Sequence, residues 1–206
     1  MDRDTEILNV WKRRGNMSLT PVFEVGLWNA WIPTTLLFFF IMLSGLLPKD
    51  IGKKITPNKD EGKTRRIMLI VFFTMIIYSI FLPLKLGTVW FYAGLAVYVL
   101  GFIISIVALF SIAATKPGEP FTTGMYRYSR HPIALGTLLP FIGAGIAAAS
   151  WLFLLLSAIL MVISHFLAMN EESATTKKFG DAYREYMNRT PRWIGIPKSQ
   201  PVAKGK

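Results

Sequence analysis

Two short polar stretches of the chain contain the side chains that are best suited to chemistry. The first, TTGMYRYSRHPIALG at residues 122–136, includes Tyr126 and His131 and directly precedes an apolar run. The second contains the adjacent carboxylates Glu171 and Glu172 and directly follows another apolar run. Paired carboxylates can take part in acid–base chemistry, bind a metal or accept hydrogen bonds from the hydroxyl groups of a ligand. The two stretches therefore mark a candidate site where apolar and polar parts of the chain meet.

Metal binding is the weakest of these options. The two glutamates would project about 100° apart on a helix, and one nearby histidine, His131, adds little to so poor a set of ligands. The chain has no cysteine, which excludes disulfides, thiolate catalysis and cysteine-ligated metals. Spacing alone favours a structural role in which the glutamates form interfacial ion pairs with Arg127, Arg130 or Lys178.

Long apolar segments indicate that the chain crosses a membrane. Hydrophobic residues make up 52% of the chain, and residues 28–47 contain no charged side chain. At about 1.5 Å per residue, this segment matches a hydrocarbon core of about 30 Å. Similar segments follow at residues 67–84, 86–115, 133–149 and 151–169. We therefore predict an all-α, polytopic integral membrane protein with about five transmembrane helices, since a soluble domain of this size could not bury them all.

The distribution of charge predicts an orientation in the membrane. The formal net charge is +11, and basic residues cluster in the first loop, in the third loop and after the last apolar segment. The alternate side is poor in them, with Lys85 in the second loop. The positive-inside rule then places the N-terminus outside and the C-terminus in the cytoplasm. Because the charges follow this pattern, they indicate contact with membrane lipids and not with nucleic acid.

The last two apolar segments are separated by little more than Ser150, which predicts a tight antiparallel helical hairpin. Small residues four positions apart predict close backbone packing on one face. These residues are Gly136, Pro140, Ala144 and Ala148.

The second arm of this hairpin is predicted to continue into the cytosol. Helical spacing persists to about Asn188, and Pro191 disfavours helix at Thr190. The arms of a hairpin end on the same side of the membrane, so we expect residues 170–190 to meet residues 116–132. The polar side chains of both stretches would then form one cluster.

GMYRYSRHP, followed by a helical hairpin and then by EE and FGDAYREYMNRTP, resembles the C-terminal half of the isoprenylcysteine carboxyl methyltransferase family and its prokaryotic relatives. The similarity covers residues 115–195, and the order of its parts makes it specific. RHP alone is weak, since membrane sterol reductases and phospholipid methyltransferases have comparable pieces. The resemblance implies a methyltransferase core in residues 115–195. The apolar segments predict three transmembrane helices in the N-terminal region, residues 1–114, and the composition of residues 196–206 predicts a disordered tail.

The resemblance also implies a pocket for S-adenosylmethionine. Glu171 would hold this methyl donor, because an ionised carboxylate can accept short, strong hydrogen bonds from two ribose hydroxyls. Ile133 and Ala134 would approach it mainly through the backbone. His131 could instead cap the following helix. The full set that the resemblance places along the cofactor is Glu119, Pro120, Phe121, Tyr126, His131, Pro132, Ile133, Ala134, Glu171 and Glu172.

The chain departs from the family pattern at two positions. Ala134 stands where the family commonly has tyrosine, and Leu167 stands where it has an arginine on the substrate side. That arginine would orient a carboxylate, so its absence argues against a prenylcysteine substrate. His165 lies two positions away, and an ionisable residue inside a span is a candidate catalytic residue. Its structural alternative is a neutral imidazole bonded to a carbonyl of a neighbouring helix.

The predicted architecture suits a reaction between a water-soluble donor and a lipophilic or small apolar acceptor that enters between the helices. Carboxyl methylation of a prenylated cysteine leads on resemblance, and N-methylation of a phospholipid or S-methylation of a small thiol remains open. An amine acceptor would require a base, for which His165, His131 or a glutamate is available. Two other classes of protein fit the pattern less well, namely a nicotinamide-dependent membrane reductase and a non-catalytic membrane scaffold.

Overall fold

The computed structural model describes residues 25–44, 62–116 and 118–197. These residues form six α-helices and no β-strand, which confirms the prediction of an all-α protein. The helices are α1 (Trp31–Ser44), α2 (Gly62–Ile80), α3 (Val89–Ala113), α4 (Pro132–Ala147), α5 (Trp151–Phe179) and α6 (Asp181–Arg189), with a short 3-10 helix, Gly124–Arg127, before α4. Most of the basic first loop and of the predicted disordered tail lies outside the described residues.

Two of the described helices, α3 and α5, are long and apolar enough to cross a membrane. They contain 25 and 29 residues, and in the most apolar 18-residue stretch of each helix 33% is buried in α3 and 22% in α5. Large apolar side chains such as Phe110 on α3 and Phe166 on α5 are therefore exposed, as expected for helices that face lipid. The apolar parts of α1 and α4 are shorter, so the count of about five spans stays a prediction.

The predicted bounds of the first two apolar segments were wrong at two ends, namely the start of residues 28–47 and the end of residues 67–84. Helix α1 begins at Trp31, and α2 already ends at Ile80. Between them, Asn29 and Pro83 form an isolated antiparallel bridge, and the Asn29 side-chain amide donates to the Ile80 carbonyl at 2.8 Å. Asn29 thus binds a carbonyl at the end of α2, and Pro83 has no N–H to continue the helix.

Helix α4 makes its closest backbone contact with α3. A Cβ atom on Gly136 would lie 2.4 Å from Ser105 Oγ and 2.7 Å from Ser105 N, and one on Gly101 would lie 2.4 Å from Pro140 Cδ. Close backbone packing of the small residues is therefore confirmed, but Gly136 and Pro140 face α3 and not the second arm of the hairpin. This contact places the N-terminus of α4 beside the C-terminal half of α3.

The hairpin between α4 and α5 is present, and its second arm continues beyond the apolar stretch. Ser150 caps α5, because its hydroxyl accepts a hydrogen bond from the Phe153 N–H at 3.3 Å. Helix α5 runs without interruption to Phe179, but the chain then turns at Gly180. The single cytosolic helix predicted after the apolar stretch is thus divided into the end of α5 and the separate helix α6. The predicted helix end near Asn188 is confirmed, since α6 ends at Arg189.

Candidate functional site

The loop before α4 lies directly on the end of α3. Gly124 has a φ of +60°, and a Cβ atom there would be 2.3 Å from Ser111 Oγ. The neighbouring Met125 N–H donates to the same hydroxyl at 3.0 Å. Glycine is needed at this position both for its left-handed backbone and for the close approach. The contact fixes the short 3-10 helix and buries the next residue, Tyr126.

Tyr126 also joins this loop to α6. Its backbone carbonyl accepts a hydrogen bond of 2.6 Å from the Tyr186 hydroxyl. Tyr183 and Tyr186 are both buried, and burial raises the pKa of the Tyr183 phenol to about 12. These phenols therefore stay neutral at physiological pH and act as hydrogen-bonding and packing groups.

His131 lies between the two adjacent glutamates of α5. Its Nδ1 is 3.4 Å from Glu171 Oε2, and its Nε2 is 3.1 Å from Glu172 Oε1. Although His131 occupies the N-cap position of α4, its side chain makes no capping hydrogen bond. The alternative role as a helix cap is therefore wrong, and the two polar stretches identified in the sequence meet at this imidazole.

The charge of the His131 ring follows from these neighbours. Burial alone lowers the pKa of the imidazole, but hydrogen bonds and charge interactions with Glu171 and Glu172 outweigh it and raise the pKa above its ordinary value of 6.5. An imidazolium has an N–H on each ring nitrogen, which matches a carboxylate on either side. The site therefore favours the protonated ring.

Glu172 is buried among donors. Arg192 binds both of its oxygens, with Nε 2.9 Å from Oε1 and Nη2 2.7 Å from Oε2, and Arg130 Nη1 lies 3.3 Å from Oε2. Burial raises the pKa of this carboxyl, which lies beyond the apolar stretch of α5, but hydrogen bonds from His131 and Arg192 and the charge of Arg130 lower it to about 2. Both oxygens of Glu172 are thus bound by side-chain donors, which agrees with the prediction that a glutamate of this pair forms ion pairs with arginine.

Glu171 has a different environment. Its side chain is 37% exposed, against 7% for Glu172. Within the described part of the chain its ion-pair partner is His131 alone. Arg127 and Lys178, the other partners that the sequence allowed, are exposed, and the Lys178 ammonium lies 5.3 Å from the centre of the Phe179 ring. Glu171 is therefore the carboxylate of the pair that retains capacity to accept hydrogen bonds from a ligand.

Sequence reasoning missed two residues of this cluster, Arg192 and Trp193. They belong to the C-terminal strap, which we define as residues 190–196, the segment that follows α6. The strap packs on the loop before α4, and the Arg130 N–H donates to the Pro191 carbonyl at 3.0 Å. An arginine and a tryptophan directly after the proline that ends a helix were the available signal, but the pattern does not show which side chains they meet.

His165 joins the cluster through this strap. Its Nε2 lies 3.3 Å from Arg192 Nη1, and its Nδ1 lies 3.4 Å from the Trp193 indole Nε1. The Trp193 ring centroid is 6.2 Å from that of His165 and 6.4 Å from that of His131. The structural alternative, in which His165 bonds to a carbonyl of a neighbouring helix, is not what the structure shows, because the ring contacts two side-chain donors instead.

The other predicted cofactor residues lie around the same loop. Phe121 packs against Tyr126, with ring centroids 5.5 Å apart, while Glu119 is exposed and Pro120 is partly buried. Pro132 is buried at the first position of α4. Ile133 and Ala134 follow it in the first helical turn, where backbone N–H groups have no partner within the helix.

Together, these features define an all-helical, membrane-associated protein with a charged site at the polar ends of α4 and α5. Residues 89–182 match the model of the phospholipid methyltransferase family. This segment, which begins with α3 and includes His131, His165 and both glutamates, belongs to the group of integral membrane methyltransferases that resemble isoprenylcysteine carboxyl methyltransferase. The predicted family relationship is thereby confirmed. The curated proteins include no significant match to the chain.

Proposed function

We propose that this protein is an S-adenosylmethionine-dependent methyltransferase that modifies a lipophilic acceptor at the cytosolic face of a membrane. The observation that carries the proposal is the position of Glu171 within the family match. This carboxylate is partly exposed beside the half-buried His131, whereas both oxygens of its neighbour Glu172 are bound by Arg192, and Arg130 lies beside them.

The residues present fit the proposed methyl donor. Glu171 supplies acceptor oxygens that suit hydroxyl groups of a ribose, and His131 keeps that carboxylate in place. Phe121 and Tyr126 supply a pair of packed rings against the same loop, and the first N–H groups of α4 supply donors. Glu119, Pro120, Pro132, Ile133 and Ala134 complete the proposed donor side, and Glu172 supports it through its ion pairs with Arg130 and Arg192.

S-adenosylmethionine, when bound, supplies an electrophilic methyl group on a sulfonium. The contribution of the protein is then to align an acceptor with that group and to exclude water. Arg130, Arg192 and His131 bind the buried Glu172 and hold this part of the site in place without a ligand. The apolar surface of α5 leads from lipid toward this cluster and suits an acceptor with a hydrocarbon tail.

Two acceptor chemistries are supported by different observations. The resemblance to the isoprenylcysteine enzymes supports a carboxylate, which is already anionic and needs no base. The phospholipid methyltransferase match supports an amine, which must lose a proton, and His165 is then the candidate catalytic base. Leu167 lies two positions after His165 and carries no charge, so it provides no guanidinium for a carboxylate.

The proposed orientation places the C-terminus in the cytoplasm. The soluble donor would then reach residues 115–195 from the cytosol, and the acceptor would enter laterally from the bilayer. Basic residues of the cytosolic loops would contact anionic lipid headgroups.

The test uses purified full-length protein in lipid nanodiscs. Binding of S-adenosylhomocysteine, measured by calorimetry and compared with a nicotinamide dinucleotide, separates a methyltransferase from a reductase. Donor carrying a radioactive methyl group is then supplied with either a farnesylated cysteine analogue or phosphatidylethanolamine vesicles. Alkali releases methanol from a methyl ester but leaves an N-methyl group intact, which distinguishes the two products. Dinucleotide binding alone, or no methyl transfer to either acceptor, would refute the proposal.

A further inference from the structure

The C-terminal strap is tied to the loop that carries His131. The His131 N–H donates to the Arg192 carbonyl at 3.3 Å, and the Ser129 hydroxyl donates to the same carbonyl at 3.2 Å. Farther along, the Gly195 N–H donates to the Tyr128 carbonyl at 3.1 Å. These backbone contacts fix where the Arg192 side chain begins.

The Arg192 side chain contacts two residues of α5 on one face. Its Nε and Nη2 bind Glu172, and its remaining nitrogen, Nη1, lies 3.3 Å from His165 Nε2. Glu172 follows His165 by seven positions, which is about two helical turns, so His165 lies about 10 Å closer to the apolar end of α5. One planar guanidinium therefore joins the polar end of the site to a position nearer the lipid.

The partners of the two histidines differ in kind. His131 lies between two carboxylates, which accept hydrogen bonds, whereas His165 lies between Arg192 and Trp193, which can only donate them. A neutral imidazole has one acceptor nitrogen, so it can accept a hydrogen bond from one of these two donors at a time. Contact with Arg192 at one ring nitrogen and with Trp193 at the other fixes the direction of the His165 ring.

We propose that Arg192 is a positioning residue that orients His165 on the acceptor side while it holds Glu172 on the donor side. The inference rests on the proposed methyltransferase function, in which His165 meets the acceptor. The inference assigns a role in the site to the C-terminal strap, which lies outside the segment matched by the family. Arginine suits this role because its fork can bind a carboxylate and still direct a further N–H elsewhere.

The kinetic test compares Arg192→Lys and Trp193→Phe with the wild type. Lysine keeps a positive charge near Glu172 but lacks the fork, and phenylalanine keeps the ring but lacks the indole N–H. We expect kcat for methyl transfer to fall about 10- to 100-fold because His165 is misplaced. Affinity for S-adenosylhomocysteine should change less than about fivefold, because lysine keeps a positive charge beside Glu172 and Arg130 still pairs with that carboxylate. Arg184→Lys, at an exposed arginine of α6 that pairs with Asp181, is the matched control.

Combination with His165→Ala tests the coupling. If Arg192 acts through His165, the double variant Arg192→Lys/His165→Ala should turn over no more slowly than His165→Ala alone. Losses that multiply would overturn the proposal. An equal loss of donor affinity and turnover in Arg192→Lys would also overturn it, because the arginine would then act through Glu172 and not through His165.

A spectroscopic measurement separates this inference from the proposed function. The chain contains 2 histidines, so the ring ¹⁵N resonances can be assigned by replacing either one. Arg192→Lys and Trp193→Phe should each shift the His165 resonances, whether or not the protein transfers methyl groups. Unchanged His165 resonances in both variants would refute the positioning role even in an active enzyme. Shifted resonances in a protein that neither binds the donor nor transfers methyl would refute the proposed function instead.

Discussion

Arg192 binds both carboxylate oxygens of Glu172, with its Nε 2.9 Å from Oε1 and its Nη2 2.7 Å from Oε2. This fork occupies one of two glutamates that are adjacent in sequence and leaves the other partly exposed. The pair is thereby divided into a carboxylate that holds the site together and a carboxylate that can meet a ligand.

Glu171→Gln should weaken binding of S-adenosylhomocysteine at least about tenfold, because it removes a charged acceptor whose hydrogen bonds contribute about 1.5–3 kcal/mol each. Isothermal titration calorimetry in detergent measures this change. Glu185→Gln is the control, since Glu185 is an exposed glutamate of α6 that pairs with Arg189. Unaltered affinity and turnover in Glu171→Gln would show that Glu171 has no part in donor binding.

Glu172→Gln should lower stability more than Glu171→Gln does. The change leaves Arg130 and Arg192 around a neutral amide, and breaking a buried ion pair costs about 3–5 kcal/mol. The apparent unfolding temperature in micelles is the measurement, with Asp181→Asn at an exposed site as the control. Full stability combined with lost donor binding would instead indicate that Glu172 contacts the ligand directly.

The His131 imidazole should titrate above its ordinary pKa of 6.5, because Glu171 and Glu172 favour its protonated form. A pKa raised by folding contributes stability that is fully present below about pH 6.5 and is lost as the pH rises through the folded value. NMR titration of the ring, together with unfolding temperatures across this range, measures both effects. The Glu172→Gln variant should lower the pKa of His131. A wild-type value at or below 6.5 would contradict this electrostatic description of the site.

His165→Ala should leave affinity for S-adenosylhomocysteine nearly unchanged but reduce turnover. With an amine acceptor the loss of a base should cost about 10²- to 10⁴-fold in kcat, whereas a carboxylate acceptor needs no base and should show a smaller loss. Single-turnover kinetics with each acceptor measure this difference. Unchanged kcat with every acceptor that the enzyme methylates would assign His165 a structural role.

Gly136→Ala should destabilise the protein by about 1–3 kcal/mol, the usual cost of overpacking. The added Cβ would lie 2.7 Å from the backbone N of Ser105, which cannot move without shifting α3. Gly62→Ala is the matched control, because a Cβ there meets nothing within 4 Å. Thermal unfolding of both variants in the same detergent gives the comparison. Equal stability of the two variants would show that the contact between α3 and α4 is not tight in solution.

The general architecture was predictable from the sequence because it depends on local properties. The length and apolarity of α3 and α5 indicate helices suited to a membrane, and Ser150 between two apolar segments indicates a hairpin. The meeting of His131 with the glutamates was also predictable, since the ends of hairpin arms lie on one side. The start of α1 and the end of α2 could not be predicted in this way, because they depend on the pairing of Asn29 with Pro83 across a long stretch of sequence.

The sequence by itself determined an all-helical chain, the match of residues 89–182 to the phospholipid methyltransferase family, and the two polar stretches that form the candidate site. Only the tertiary structure decided that Arg192 pairs with Glu172 and not with Glu171, and that His165 shares this arginine. The physical reason is geometric. Adjacent residues of a helix point about 100° apart, so the rotation of α5 against the strap selects which carboxylate a distant guanidinium can reach.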